Sequence, residues 1–424
     1  MVEVDSIGDR VLVREFEYGK DIGVVGKLEK NCEIGLGSKN KGTSIFTNMM
    51  SDPLCRIRFF PLHLMLICRT DEMGKPPCMK TDVLENALQV AELPEIGELV
   101  GVIRGCIKHV GTRFGNKDLK LGCILGLRVS PTHRRMGIGL KLVQAMEEWL
   151  IKNGAHYTFL ATEKNNVASR NLFTAKCNYI NLSSLVIFVQ PVGFSMEDLS
   201  QHIKVEKLNI SQAITLYDNK LKGKDVYLAD IDAILKEKLS LGTWVSYFKQ
   251  DEWIGLHSKE KYGDIISTSP PSWLMFSIWN SCEAYKIHIK KPHYPFKLFH
   301  EIVNHARDKI LPCLKIPMCD CSVERPFGFF FLYGIHGEGE RVGELLKAAW
   351  SFALRLGEDM KNCKMIITEL GVSDPLVEHV PHASSKSRID DLWYFKKVNG
   401  SINEEDQLGM TGELGNVVVD PRDF

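Results

Sequence analysis

An apolar strand, a basic glycine-rich turn and a long amphipathic helix follow one another in the stretch LGLRVSPTHRRMGIGLKLVQAMEEWL, residues 125–150. Leu140, Val143, Met146 and Leu150 recur at helical spacing, and the polar residues between them occupy the other side of the helix. A strand that passes directly into a helix is the unit from which parallel strand pairs are built. The stretch therefore predicts an α/β fold with a mixed sheet.

The same order of elements occurs a second time, in FGFFFLYGIHGEGERVGELLKAAWSFALRLG, residues 327–357. Each copy is followed by another strand-like run, at 156–162 and at 363–370. A chain of 424 residues is long enough for two domains, and a repeat of this kind predicts tandem domains of one type. We place the first domain at 1–193 and the second at 194–424.

Further strands are predicted from alternating or continuous apolar runs at 10–18, 63–69, 98–110 and 122–130. A polar segment marked by prolines separates the second of these runs from the third. This segment predicts a loop insertion at 70–97.

Composition excludes several classes of protein. The chain has 53 basic and 53 acidic residues, so no overall positive field attracts nucleic acid or an anionic membrane. No apolar run reaches membrane-spanning length, and the N-terminal segment lacks the apolar core of a signal peptide, which predicts a protein that is not secreted. The 12 cysteines then read as reduced thiols, and the group Cys313, Cys319 and Cys321 lacks the second pair that a zinc site needs. We expect no bound metal.

The first glycine-rich turn has the chemistry of an anion site. Gly137 and Gly139 let the backbone approach a ligand closely, and the start of a helix directs N–H groups at an anion. Arg134 and Arg135 add guanidinium groups suited to phosphate oxygens. The segment matches neither a P-loop nor a dinucleotide-binding motif, so the residues alone predict a phosphate site of another kind.

The segment Arg134-x-x-Gly137-x-Gly139, with the strand before it and the run NNVASRNLF after it, resembles the GNAT acetyltransferase superfamily. The resemblance implies acetyl-CoA as cosubstrate and a direct transfer of acetyl to an amine. The residues that it assigns to the CoA pyrophosphate are Arg134, Arg135, Met136, Gly137, Ile138 and Gly139. It assigns Leu127, Arg128 and Val129 to the pantetheine arm, and Asn166 to a position beside that arm.

Longer stretches resemble one plant family, the hookless-type N-acetyltransferases. These stretches include VIRGCIK, LRVSPTHRRMGIGLKLV, DIDAILKEKLSLGT, YGIHGEGERVGELLK and the terminal VDPRDF. The resemblance implies a role in ethylene-responsive differential growth and a place in the nucleus, with the cytoplasm as the alternative. We expect a protein or peptide amine as acceptor, with histone tails among the candidates, and leave open whether the chain forms a homo-oligomer.

Acetyl transfer to an amine needs a base, an N–H that stabilises the oxyanion and an acid for the thiolate. The first candidate for the base is Glu163 and the second is Glu98, although both also fit solvated charges at strand ends. Tyr179 is the candidate acid, although the family places its tyrosine nearer to Phe173. A bulge near Leu127 to Val129 is the expected oxyanion donor.

The second copy of the turn differs from the first in charge. Aligning Gly343 with Gly139 places Glu338 at the position of Arg134 and Glu340 at that of Met136. Carboxylates there would repel a pyrophosphate, by about 1 to 4 kcal/mol for each close pair of charges. We therefore expect a degenerate second domain. The leading hypothesis is an N-acetyltransferase active in the first half, and the alternative is a non-catalytic regulator that binds CoA or partner proteins.

Overall fold

The structure is a computed structural model, and it describes residues 10–31, 86–113, 119–164, 166–193, 201–257, 264–283, 327–381, 388–398 and 415–423. The strand predicted at 63–69 and the group Cys313, Cys319 and Cys321 lie outside these residues.

The first half contains six strands and three helices within the described residues. The strands are β1 (Leu12–Glu15), β2 (Asn86–Leu93), β3 (Glu98–Thr112), β4 (Leu119–Val129), β5 (Tyr157–Glu163) and β6 (Ile180–Pro191). The helices are α1 (Tyr18–Asn31), α2 (Ile138–Lys152) and α3 (Val167–Asn171). The loop predicted at 70–97 is therefore wrong where β2 lies. Leu88 and Val90 pack against Val25 of α1, and Ala91 packs on the opposite face in the α2 cluster, so burial of both faces overrides the polar surroundings.

The second half repeats the arrangement among its described residues. Its strands are β7 (Ile203–Lys207), β8 (Val226–Leu228), β9 (Ser240–Phe248), β10 (Trp273–Asn280), β11 (Gly328–Glu338), β12 (Cys363–Gly371) and β13 (Arg388–Lys397). Its helices are α4 (Ile210–Lys220), α5 (Ile231–Lys236), α6 (Ile254–His257), α7 (Asp264–Ser267) and α8 (Val342–Glu358). Both strand–turn–helix units predicted from the sequence are present, as β4–α2 and β11–α8.

All the described strands belong to one sheet. Its order is β1-β2-β3-β4-β5-β13-β6-β12-β11-β10-β9-β7, and β8 pairs with β3. The parallel pairs are β4 with β5 and β11 with β12, and the other pairs are antiparallel. The sheet is thus mixed, as expected. It also continues across residue 193, where the sequence suggests a domain boundary.

The two halves exchange strands at the centre of this sheet. The last strand of the chain, β13, lies between β5 and β6, whereas β6 lies between β13 and β12. Asp391 of β13 pairs with Glu163 on one side and Leu185 on the other, and Leu185 pairs with Gly371. β5 ends at Glu163 and β12 ends at Gly371, at the two ends of this row of paired residues, and the two strands run in opposite directions. The two halves are therefore related by an approximate two-fold rotation.

Each long helix packs on the same face of the sheet. α2 buries Leu142, Val143 and Met146 against β3, and Gly101 of β3 permits the approach, since a Cβ there would lie 2.7 Å from Leu142 Cδ1. Each such side chain contributes about 1.5–3 kcal/mol by leaving water. α8 buries Trp350, whose Nε1 donates to Gln190 Oε1 of β6 at 2.6 Å. The opposite face carries a large apolar cluster that spans both halves.

Candidate functional site

A slot opens between β4 and β5 in the first half. The two strands pair at Leu121 with Tyr157, and the ladder ends at Cys123 with Phe159. β4 then continues to Val129 and β5 continues to Glu163. The strands therefore diverge over their last residues, which leaves room for an extended ligand between them.

β4 carries a bulge beside this slot. Its register with β3 shifts so that Val102 pairs with Arg128 and Arg104 pairs with Leu125. Gly126 and the residue after it therefore stand opposite a single residue of β3, and Gly126 has a φ of +58°, in the region that favours glycine. This is the bulge expected near Leu127 to Val129. A bulge re-aims backbone groups, which suits it to donate an N–H into the slot.

The turn after β4 leads into α2 through two residues with positive φ. They are Arg135, with a φ of +67°, and Gly137, with a φ of +80°, which is the N-cap of α2. A Cβ built on Gly137 would meet nothing within 4 Å, so the space beside the start of the helix is open. Arg134 and Arg135 are both exposed, and Arg134 Nε donates to Val129 O at 3.4 Å. The open helix start and two guanidinium groups together favour an anion.

The remaining predicted pyrophosphate residues form the base of this turn. Ile138 is buried in the apolar cluster beneath α2 and Met136 is half-buried, so both side chains anchor the turn. A Cβ on Gly139 would lie 3.5 Å from Leu172 Cδ2 of the segment after α3. The turn therefore packs against the apolar cluster through Met136 and Ile138, and it is open at Gly137.

The predicted pantetheine residues lie at the end of β4, between the bulge and the turn. Leu127 and Val129 pack toward the α2 cluster, and Arg128 is half-buried, with Nη1 donating to Leu127 O at 2.9 Å. Asn166 is exposed, and its side chain accepts a hydrogen bond from Ser169 N at 3.1 Å. Asn166 therefore caps α3, the helix that follows β5.

The two candidate bases lie at strand ends. Glu163 is the last residue of β5 and pairs with Asp391 of β13. Glu98 is exposed at the start of β3, opposite Leu93 across the β2–β3 hairpin. Since Gly101 of β3 pairs with Val129, Glu98 lies at the same edge of the sheet as the end of β4.

Tyr179 lies away from the slot. Its side chain is buried, packs edge-on against Phe173 with ring centroids 5.3 Å apart, and places its hydroxyl 2.8 Å from Thr158 Oγ1. Thr158 pairs with Gly122, where β4 and β5 are still hydrogen-bonded. Burial, together with the nearby Glu147 carboxylate, raises the pKa of the Tyr179 phenol. Tyr179 is a core residue here, so this position does not support the prediction that it is the acid.

The second half has the same slot and the same bulge. β11 and β12 pair as far as Leu332 with Thr368 and then continue separately, and Gly334 of β11 has a φ of +61° where the register with β10 shifts. The Tyr217 hydroxyl would lie 2.5 Å from a Cβ on Gly334, and it is 2.8 Å from Ser277 Oγ. In the first half the Arg104 guanidinium occupies the corresponding place, where Nη1 would lie 3.2 Å from a Cβ on Gly126.

The turn of the second half is closed by its own side chains. Residues 339–341 alone connect β11 to α8, whereas residues 130–137 connect β4 to α2. Lys220 Nζ binds Glu338 Oε1 at 2.7 Å, and Arg341 pairs with Glu344 at 2.8 Å. A Cβ on Gly343 would lie 2.8 Å from His379 Nδ1. Burial disfavours ionisation of Glu338, but hydrogen bonds from Lys220 and His336 outweigh it and hold the Glu338 pKa below its usual value. The negative charge expected there is therefore present.

The C-terminal segment covers the slot of the second half. Residues 417–419 line a small cavity together with Gly334 and with Glu369 of β12. Val418 N donates to Val226 O at 2.9 Å, which holds the segment in place. This half thus keeps the strand geometry of a binding slot but fills it with its own chain.

A buried ionic cluster fixes the end of that segment to the first half. Lys108 Nζ of β3 lies 2.8 Å from Asp420 Oδ2 and also binds Asp423. Arg422 binds Asp420 and, at 2.8 Å, Asp230 Oδ2 beside α5. Burial disfavours the charge on Lys108, but the two carboxylates outweigh it and hold the pKa of Lys108 above its usual value. Asp420, Arg422 and Asp423 belong to the terminal VDPRDF stretch.

The described residues contain neither a metal-binding cluster nor a membrane-spanning helix. Within that part of the chain, no group of three or more His, Cys, Asp and Glu side chains could hold a metal ion. No helix in the same ranges is long and apolar enough to cross a membrane.

Comparison with known proteins identifies the family. Residues 67–179 match the Acetyltransferase (GNAT) family. Probable N-acetyltransferase HLS1-like of Arabidopsis thaliana is 36% identical to this chain, over 98% of the chain and 99% of that protein. Probable N-acetyltransferase HLS1 of the same plant is 35% identical, over 97% and 100%. Acetyl transferase GW6a of Oryza sativa subsp. japonica is 27% identical, over 98% and 97%. With the slot, the bulge and the open turn of its first half, the chain belongs to the GNAT acetyltransferase family, in the group of HLS1-type probable N-acetyltransferases.

Proposed function

We propose that this chain transfers acetyl from acetyl-CoA to the amine of a protein or peptide, and that the first half carries the reaction. The observation that carries the proposal is the open turn at Gly137, placed beside the diverging ends of β4 and β5. The corresponding turn at Gly343 is filled by the chain itself. Of these two helix starts, the one in the first half is therefore the one open to an anion.

Each part of the proposed site has its own role in the reaction. The N-terminus of α2, with Arg134 and Arg135, holds the pyrophosphate, and the slot takes the pantetheine arm, which brings the thioester carbonyl to the bulge. An N–H of the bulge stabilises the oxyanion as the amine nitrogen attacks. The C–S bond then breaks and the thiolate leaves. With Tyr179 buried elsewhere, the thiolate leaves without help from that phenol, while Glu163 and Glu98 remain candidates for the base.

The biological setting is a second part of the proposal, supported by the similarity to the Arabidopsis proteins. We place the activity in the regulation of ethylene-responsive growth and in the nucleus, with histone tails among the candidate acceptors and a homo-oligomer as a candidate assembly. Each of these is open to direct measurement with tagged protein in plant cells. The alternative function, a non-catalytic regulator that binds CoA, is favoured by the position of Tyr179 in the core.

Calorimetry with acetyl-CoA tests the assignment of the open turn to the CoA pyrophosphate. Gly137→Glu places a carboxylate in the open space at the start of α2 and should weaken binding by about 1 to 4 kcal/mol, at least fivefold in Kd. Gly154→Glu is the matched control, because Gly154 also has a positive φ (+85°) but lies at the other end of α2. Equal binding by both variants, or no binding of acetyl-CoA by the wild type at millimolar concentration, refutes the assignment.

An acetylation assay on candidate peptides separates the two functions. Release of free CoA thiol together with acetyl-peptide, detected by mass spectrometry, is the result expected of the enzyme. Tight binding of acetyl-CoA without turnover on any amine leaves the regulator as the function of this fold.

A further inference from the structure

Two acidic residues stand side by side at the end of β5, and the second half supplies one of them. Asp391 of β13 pairs with Glu163 of β5 across the antiparallel ladder. Asp391 is only 4% exposed. A carboxylate so far removed from water interacts strongly with a cation placed near it.

Asp391 lies on the face of the sheet that faces away from α2. Side chains two residues apart on a strand share a face, and Trp393, two residues further on, packs against Phe159 with ring centroids 5.1 Å apart. Both rings belong to the apolar cluster opposite α2. Since α2 and its open turn lie on the other face, an acceptor that meets the thioester in the slot approaches from the face that carries Asp391.

The two-fold relation between the halves shows that this feature is confined to one of them. The row of paired residues is Glu163, Asp391, Leu185 and Gly371, so Leu185 is the counterpart of Asp391 and Gly371 that of Glu163. Leu185 is fully buried in the apolar cluster. A carboxylate therefore occupies this position beside the slot with the open turn, and a leucine occupies it beside the slot that the chain fills.

We propose that Asp391 is the general base of the first-half site, supplied across the exchanged strand, and that it takes the proton from the ammonium of the acceptor. This role rests on the proposed function. β13 lies one strand spacing, about 4.8 Å, beyond β5, so the proton passes through one water.

The steps balance in atoms and charge. The ammonium gives one proton to Asp391, the neutral amine forms the C–N bond, and the C–S bond breaks with its electron pair on sulfur. The second proton of the nitrogen passes to the thiolate, and Asp391 returns its proton to solvent. Across the ladder, Asp391 pairs with Glu163 of β5 on one side and with Leu185 of β6 on the other.

Steady-state kinetics of Asp391→Asn test the proposal, with Asp390→Asn as the matched control because Asp390 is exposed and points to the other face. The first variant should lose about a hundredfold or more in kcat, and its pH profile should lose the acidic limb of the wild type. Its Kd for acetyl-CoA should stay unchanged, which a general loss of structure would not allow. The control should keep the wild-type kcat and pH profile.

The conservative variant Asp391→Glu covers the case in which the asparagine variant does not fold. It keeps the carboxylate, so the acidic limb should persist and be displaced. A wild-type pH profile in Asp391→Asn, or an unmoved limb in Asp391→Glu, overturns the role of Asp391 alone. A wild type that binds acetyl-CoA and acetylates no amine overturns the proposed function, and the role of Asp391 with it.

Discussion

Lys108→Met removes a positive charge from the buried cluster that ties the C-terminal segment to the first half. The side chains of Lys108, Asp420 and Asp423 are 3%, 2% and 2% exposed, so water screens their interactions weakly. Removing one partner of a buried ion pair costs about 3–5 kcal/mol, because the remaining charge stays out of water. We expect a loss of that size in the free energy of unfolding at neutral pH.

The effect of Lys108→Met on the free energy of unfolding should depend on pH. In the wild type the pKa of Lys108 is raised above its usual value, so its contribution is complete at neutral pH and is lost only as the pH rises through the raised pKa. In the variant, Asp420 and Asp423 lose the ammonium while Arg422 still binds Asp420, and the charge left without compensation favours proton uptake in the folded state. The deficit should therefore shrink as the pH falls from 7 toward about 4, the value for an unfolded Asp.

Urea unfolding monitored by tryptophan fluorescence measures the effect. With an m value of about 3 kcal/mol/M, the midpoint should fall by about 1 M or more. Lys236→Met is the control, since Lys236 pairs with Asp232 on the surface of α5 and should change stability by less than about 0.5 kcal/mol. A loss in Lys108→Met no larger than in the control, and independent of pH, refutes the reasoning.

Three further changes test other parts of the structure. Gly126→Ala forces alanine into a φ of +58° with its Cβ 3.2 Å from Arg104 Nη1, and it should cost about 1–2 kcal/mol in urea unfolding. Asn209→Ala removes the capping box of α4 and should cost about 1 kcal/mol by the same assay, with acetyl-CoA binding unchanged. Residues 1–193 expressed alone lack β13 beside β5 and should show no cooperative unfolding transition, whereas co-expression with residues 194–424 should restore one. A full loss of acetyl-CoA binding in Asn209→Ala, or a cooperative transition in the isolated half, would contradict these expectations.

The elements near the turn could be predicted because their signals are local. The helical spacing from Leu140 to Leu150 and the glycines at 137 and 139 specify β4–α2 without reference to the rest of the chain. The charge contrast at Glu338 could be seen in the same way. The direction of Tyr179 could not, because it depends on where Thr158 lies across the sheet.

The place of β13 could not be predicted, because a strand carries no local signal for its partner. Its continuous apolar run from Leu392 to Phe395 fits any buried strand position, and the neighbours β5 and β6 lie roughly two hundred residues earlier. A sequence reading that assigns each strand to its own half leaves the site without Asp391. This is why the carboxylates considered from sequence were Glu163 and Glu98 alone.

The exchange of strands explains how one half can lose its site while the chain keeps both halves. The second half fills its slot with residues 417–419 and closes its turn with His379, so the start of α8 is not open as that of α2 is. It still provides β13, which completes the ladder on β5 and places a buried carboxylate at the slot of the first half. A change that opens the second slot is thus compatible with activity. Loss of β13, in contrast, removes both the strand that pairs with β5 and the general base.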